Sequence, residues 1–255
     1  MISTSSLLVL GALLVSATHG HGDIFQRGHK PPTFQVYTAC AKPKTVAVTY
    51  DDGPNLYTKT IVDAFDKAGG KVTFFFNGDL YHCIYDADEV DRAKYALSHG
   101  HQIGGHTWAH LHLPTLNDTS IKSEFTRTND AMRKILGVVP SLVRPPFGEY
   151  NSNVSAVAAS LGQSLVTWDF DSQDWTGAAS ADIEAAYKAR FDTNPASILP
   201  LNHEVYNTTV HDVMPYVIKM AKSKGYKLVT VAECLGIQPY LYQGKPSKRD
   251  ASWTC

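Results

Sequence analysis

From Thr45 onward the chain alternates short β-branched or aromatic runs with longer stretches of helical spacing, and this alternation restricts its fold more than any other feature. The runs are "TVAVTY", "KVTFFFN", "HQIGGH", "SLVRPP", "SLVTWDFD", "SILPLNH" and "YKLVTV". Between them, "IKSEFTRTNDAMRKIL" sets Ile121, Phe125, Met132 and Ile135 on one helix face. "HDVMPYVIKMAKSKG" does the same with Val213, Val217 and Met220 and stops at Gly225. Alternating strands and helices give parallel strands and an α/β fold. About seven parallel strands in one domain point to a distorted (β/α) barrel; an open doubly wound sheet is the alternative. The 255 residues suffice for one large domain with a core. Polar side chains gather where the runs end: Asp51-Asp52, Asn77, His106, Arg144, Asp171 to Asp174 and His203. In α/β barrels that rim is where the active site is built.

Residues 1–20 have a polar start, an apolar stretch from Leu7 to Val15 and small residues after it, the pattern of a secretory signal peptide. The stretch is too short to span a bilayer comfortably, so no membrane span is expected once it is removed. Residues 21–39 read as a polar lead-in, 40–237 as the folded domain and 238–255 as a tail. Cys40, Cys83, Cys234 and Cys255 make an even count without a CxxC spacing. In a secreted chain this reads as two disulfides, with three connectivities open, rather than a thiolate metal site. Sequons at Asn117, Asn153 and Asn207 agree with secretion to the cell wall or medium. A formal net charge of −1 excludes the basic excess of a nucleic-acid binder.

The chemistry lies in two stretches. In "HTWAH", His106 and His110 are four apart, so on a helical turn both imidazoles face one side and reach one metal ion. A third, oxygen ligand is needed. In "TYDDGP", neighbouring side chains on an extended strand point to opposite faces, so Asp51 and Asp52 are not expected to chelate one ion together. A division of labour fits: one aspartate joins the histidines and the other stands off as a base. Two histidines and one carboxylate leave positions open for water and substrate, as catalytic zinc requires.

"TYDDGP", "HTWAH", "RPPFGEY", "DFDSQDW" and "LNHEV" follow one another in that order. Together they resemble the five motifs of the polysaccharide deacetylases of carbohydrate esterase family 4, the NodB-homology domain, over roughly residues 40–235. The secreted, cysteine-containing form is most similar to fungal chitin deacetylases. The resemblance implies zinc, with cobalt as a substitute, held by Asp52, His106 and His110. It implies Asp51 as the base, Arg144 as the residue that orients it, and the Phe147 main-chain N–H as oxyanion donor. It further implies that Asp174 holds the general acid His203, that Trp175 walls the sugar site, and that Leu201 lines the acetate pocket. The expected activity is removal of N-acetyl groups from chitin or its oligomers by a monomer. The same chemistry on peptidoglycan or acetylated xylan is the nearest rival; a non-catalytic chitin-binding protein is the rival of another class.

Of the three cysteine connectivities, Cys40–Cys234 with Cys83–Cys255 is the favoured one, since it joins the start of the barrel to its closing segment. His82, His99, His101, His112 and His211 are assigned no role. Trp108 and Trp168 are expected in the core. Phe147 stands where tyrosine is usual, and Glu204 where aspartate is frequent.

Overall fold

The structure is a computed structural model that describes residues 33–255. The signal-peptide reading, and residues 21–32 of the lead-in, lie outside the described residues. In chain order the elements are β1 (Val36–Tyr37), β2 (Thr45–Val46), β3 (Thr49–Gly53), α1 (Thr58–Ala68), β4 (Thr73–Phe76), α2 (Ala87–Ser98) and β5 (Gln102–Gly105). There follow α3 (Asp118–Leu136), β6 (Val138–Pro140), β7 (Leu142–Val143), α4 (Ser152–Ser160), β8 (Ser164–Val166), β9 (Phe170–Asp171) and α5 (Ser180–Asp192). The chain ends with β10 (Ser197–Ile198), β11 (Pro200–Leu201), α6 (Met214–Ser223), β12 (Lys227–Leu228), α7 (Val231–Leu235) and β13 (Tyr240–Gln243).

Six strands form a parallel sheet in the order β1-β8-β7-β5-β4-β3. The sheet curls toward closure. β9 continues the course of β8 and pairs with β11, and the Asp51 N–H donates to Asn202 O at 2.9 Å, just past β11. Lower down, β2 lies between β10 and β12. Counted as runs of chain, 45–53, 73–76, 102–105, 142–143, 164–171, 197–201 and 227–228 make the seven expected parallel strands. They are broken into short pieces, which is the distortion of the barrel. β2 and β3 are buried along their whole length, as parallel strands covered on both faces must be.

The helices cover the outside with the faces their spacing prescribes. α3 starts at Asn117, whose side chain accepts from Ser120 N–H, and ends at Gly137 in the left-handed region. Its Ile121, Phe125, Met132 and Ile135 are all buried. On α6, Val217 is buried and Met220 partly so, after a wider turn from Thr209 to Val213. Phe65, Phe74, Phe76, Tyr187 and Phe191 fill the layer between sheet and helices.

Two terminal segments are more ordered than composition implies. The lead-in supplies β1, which pairs with β8. The tail supplies β13, antiparallel to β6, and Trp253, which is buried against Tyr85. Cys40 is bonded to Cys234 and Cys83 to Cys255. Among the described residues no helix is long and apolar enough to cross a membrane.

Candidate active site

The strand ends open into a cleft of about 390 Å³ whose lining includes Asp51, Asp52, His106, His110, Phe147, Trp175, Leu201 and His203. Five separate segments of the chain meet there. Of the residues predicted for the site, only Arg144 and Asp174 lie behind the wall, each touching one that lines it.

β3 delivers the two aspartates by breaking the strand rule. Its register with β4 shifts between Asp51 and Gly53, and Asp52 has φ +71°. This bulge cancels the alternation expected of consecutive strand residues. Both carboxylates therefore reach the same place: His106 Nε2 is 3.7 Å from Asp51 Oδ2 and 3.5 Å from Asp52 Oδ1. The left-handed conformation is one that aspartate tolerates better than most residues. Gly53 follows because nothing larger fits: a Cβ there would sit 1.4 Å from Glu204 Oε1.

The two histidines are not on a helical turn. β5 ends at Gly105, and the next five residues form a loop in which Thr107 and His110 have φ of +69° and +53°. The imidazoles still converge, because the loop folds back on itself: their ring centroids are 4.9 Å apart. Asn77, at the end of the neighbouring strand, holds this loop by donating to the carbonyls of His106 and Thr107.

Asp52, His106 and His110 each offer a ligand atom, and these atoms lie within 4.8 Å of one another. Three further observations fit a metal. Asp52 Oδ1 is buried without a hydrogen-bond partner, a costly state unless a cation occupies the gap. His106 Nδ1 lies 2.7 Å from the Arg144 carbonyl, an acceptor only, so Nδ1 carries the proton and Nε2 presents its lone pair. Burial pushes both histidines down to about 3, so both rings are neutral and able to ligate. Burial also pushes Asp52 up to about 6, which a bound cation would reverse.

Asp51 is held from behind. Arg144, fully buried, donates to Asp51 Oδ1 at 2.9 Å, to Thr49 Oγ1 at 2.5 Å and to Thr167 O at 2.8 Å. Its guanidinium packs over Phe75, 4.3 Å from the ring centre. Burial raises the Asp51 carboxyl, and Arg144 opposes that rise. Across the cleft, His203 Nδ1 lies 2.7 Å from Asp174 Oδ1, while Asp174 Oδ2 accepts from the His203 N–H at 2.7 Å and from Thr209 Oγ1 at 2.9 Å. Burial works against charge on His203, but the Asp174 hydrogen bond and charge, with Asp51 and Asp52, push it up to about 9.

Phe147 sits in the turn Pro146–Gly148 with φ +59°. The N–H groups of Gly148 and Glu149 are taken by Pro145 O and Pro146 O, and no acceptor in the described chain takes that of Phe147. Its ring is half exposed and meets His110 edge-on at 4.6 Å. Trp175 is exposed at the rim, and its Nε1 donates to Asp171. Leu201 is buried in the wall.

Trp168 was expected in the core, but it lines the cleft, and its ring also lies under Gly148. Trp108 is in the core. Tyr206 lines the cleft without having been assigned to it, and Asp171, expected at the rim without a role, lines it as well. Tyr206 carries no signal beyond nearness to His203. Thr49 had one, because it is two residues before Asp51 and so shares its strand face.

The chain matches the polysaccharide deacetylase family over residues 38–166. It is 35% identical over 232 residues to a chitin deacetylase of Pestalotiopsis sp, covering 90% of this chain and 76% of that one. It is 35% identical over 207 residues to a probable peptidoglycan-N-acetylglucosamine deacetylase of Arthroderma benhamiae, covering 80% of this chain but 47% of that longer protein. The structure of the chitin deacetylase from Colletotrichum lindemuthianum superposes with a TM-score of 0.78 at 29% identity, covering 84% of this chain and 96% of that one. That likeness extends to the distorted barrel, and the two curated relatives share its sequence beyond the matched motifs. The chain belongs to the polysaccharide deacetylase family.

Proposed function

We propose that the protein is a secreted, zinc-dependent chitin deacetylase that hydrolyses the N-acetyl groups of N-acetylglucosamine units, leaving glucosamine units and acetate. The observation that carries this reading is the convergence of an Asp-His-His ligand set, a second carboxylate and a carboxylate-held histidine in one cleft.

Asp52, His106 and His110 would hold the ion, which supplies a Lewis acid that makes water a nucleophile near neutral pH. Asp51 takes the proton from the attacking water, and Arg144 favours its ionised form and fixes its direction. The main-chain N–H of Phe147 donates to the oxygen that gains charge as the amide carbonyl becomes tetrahedral. His203, protonated and held by Asp174, gives its proton to the departing amine. Leu201 bounds the space for the acetyl methyl, and Trp175 offers a flat apolar face to the sugar. The catalytic domain's main part spans residues 40–237, to which β1 and β13 add one strand each from outside those bounds, with a leader before it.

Chitin is favoured over other acetylated polymers by the likeness to the chitin deacetylases of Pestalotiopsis sp and Colletotrichum lindemuthianum. The Arthroderma relative keeps peptidoglycan as the second reading. A substrate panel separates them: acetate release is compared on N-acetylglucosamine oligomers, peptidoglycan and acetylated xylan at equal acetyl concentration. Chitin oligomers are expected to give the largest kcat/KM. A larger value on either other polymer would reassign the substrate.

A further inference from the structure

The loop that carries the metal histidines does not end at His110. Two residues on, the His112 ring lies flat on the Phe147 ring, with centroids 4.0 Å apart and planes 9° from parallel. His112 Nδ1 is 2.9 Å from Glu149 Oε2. Glu149 is itself two residues past Phe147, so the stack and this polar contact together clip the loop after His110 to the turn at Phe147. From beneath, the same turn rests on Trp168: a Cβ at Gly148 would be 2.8 Å from that ring.

The turn needs such a clip. Phe147 holds φ +59°, a region that residues other than glycine seldom occupy, and, 52% exposed as a residue, it has little core packing to impose that conformation. Its free N–H is aimed by this φ. An oxyanion donor works only when held within hydrogen-bond reach of the position the oxygen takes in the transition state.

We propose that His112, paired with Glu149 and stacked on Phe147, is a positioning residue that keeps the Phe147 N–H aimed at the reacting carbonyl. The proposal rests on the deacetylase reading above. His112 is not among the residues that line the cleft; it acts through Phe147. The flat stack is the larger part of the effect, because the polar contact is solvent-exposed, with side chains 56% and 45% accessible, and such contacts contribute little.

The test uses wild type, His112→Ala, His112→Phe and Glu149→Gln, with kcat and KM measured on an N-acetylglucosamine pentamer and zinc content measured on the same samples. His112→Ala is expected to lower kcat by roughly 10-fold, less than the ~100-fold that follows complete loss of an oxyanion donor. KM and zinc content should not change. His112→Phe, which keeps a stacking ring without the contact to Glu149, should recover most of the loss, and Glu149→Gln should cost less than His112→Ala. Unchanged kcat in His112→Ala would overturn the proposal. So would a fall in kcat matched by loss of zinc, or one that His112→Phe leaves uncorrected, because either would mark a merely structural role. If wild type releases no acetate from any acetylated polymer, the deacetylase reading has failed and this inference with it. Release by wild type alongside an indifferent His112→Ala would sink the inference alone.

Discussion

At the scale of single residues, the site separates two carboxylates that the sequence sets side by side. Asp51 is tied to Arg144 and Asp52 is left with a bare oxygen facing two neutral imidazoles. Asp51→Asn should therefore keep zinc while lowering kcat by about 100-fold or more, the scale of a lost general base; His106→Ala should lose both zinc and activity. Metal analysis beside acetate assays checks each, and an Asp51→Asn enzyme with full turnover would refute the assignment. His203 gives the pH dependence. Its folded value is raised from 6.5 to about 9, so the proton donor is present below that value and lost as pH rises through it. A bound cation offsets part of the attraction from Asp51 and Asp52, so the fall in kcat should come between 6.5 and about 9. Asp174→Asn removes the main attraction and should move the fall to lower pH; a profile that does not move would deny Asp174 this role. The raised value also means that His203 contributes stability fully below 6.5 and less as pH passes about 9. Residue types were readable because each step of amide hydrolysis calls for a particular side chain. The φ values at Asp52, Thr107, His110 and Phe147 were not, because non-glycine residues reach the left-handed region only when tertiary contacts hold them there.

At the scale of elements, long periodic segments could be read and short irregular ones could not. The nineteen residues of α3 carry a repeated apolar face, a capping Asn117 and a Gly137 stop, three agreeing signals. "HTWAH" has helical spacing yet folds as a loop, because five residues at a strand end are set by their neighbours, here the Asn77 side chain, rather than by periodicity. β1 and β13 are not legible in the sequence for a similar reason: each is held by one distant partner strand and shows no pattern of its own. The bulge in β3 is the element on which the chemistry depends. Gly53→Ala would force a methyl against Glu204 and the Phe76 ring. It should lower stability by about 1–3 kcal/mol, the usual cost of overpacking, and weaken zinc binding as Asp52 shifts. Chemical denaturation and zinc titration of the variant measure the two effects, and wild-type values in both would show that the bulge tolerates a side chain.

At the scale of the whole molecule, strand–helix alternation predicted the barrel, and the clustering of polar residues at strand ends predicted where the cleft opens. Sequence alone could not say how the barrel closes, because closure rests on strands of two residues split by breaks such as that between β8 and β9. The Cys40–Cys234 bond ties the start of the barrel to α7, 194 residues later. Replacing both cysteines by serine should cost about 2–5 kcal/mol of stability. The bond is not part of the cleft, so acetate release at room temperature should survive; thermal melts beside assays test this, and loss of activity without loss of stability would contradict it. The central claim concerns the metal and the acetyl group together. Acetate release from N-acetylglucosamine oligomers, measured on the purified protein before chelation, after chelation and after zinc is restored, tests it most directly. Release that stops with chelator and returns with zinc is the predicted result; release that continues undiminished in protein shown to hold no metal would contradict it.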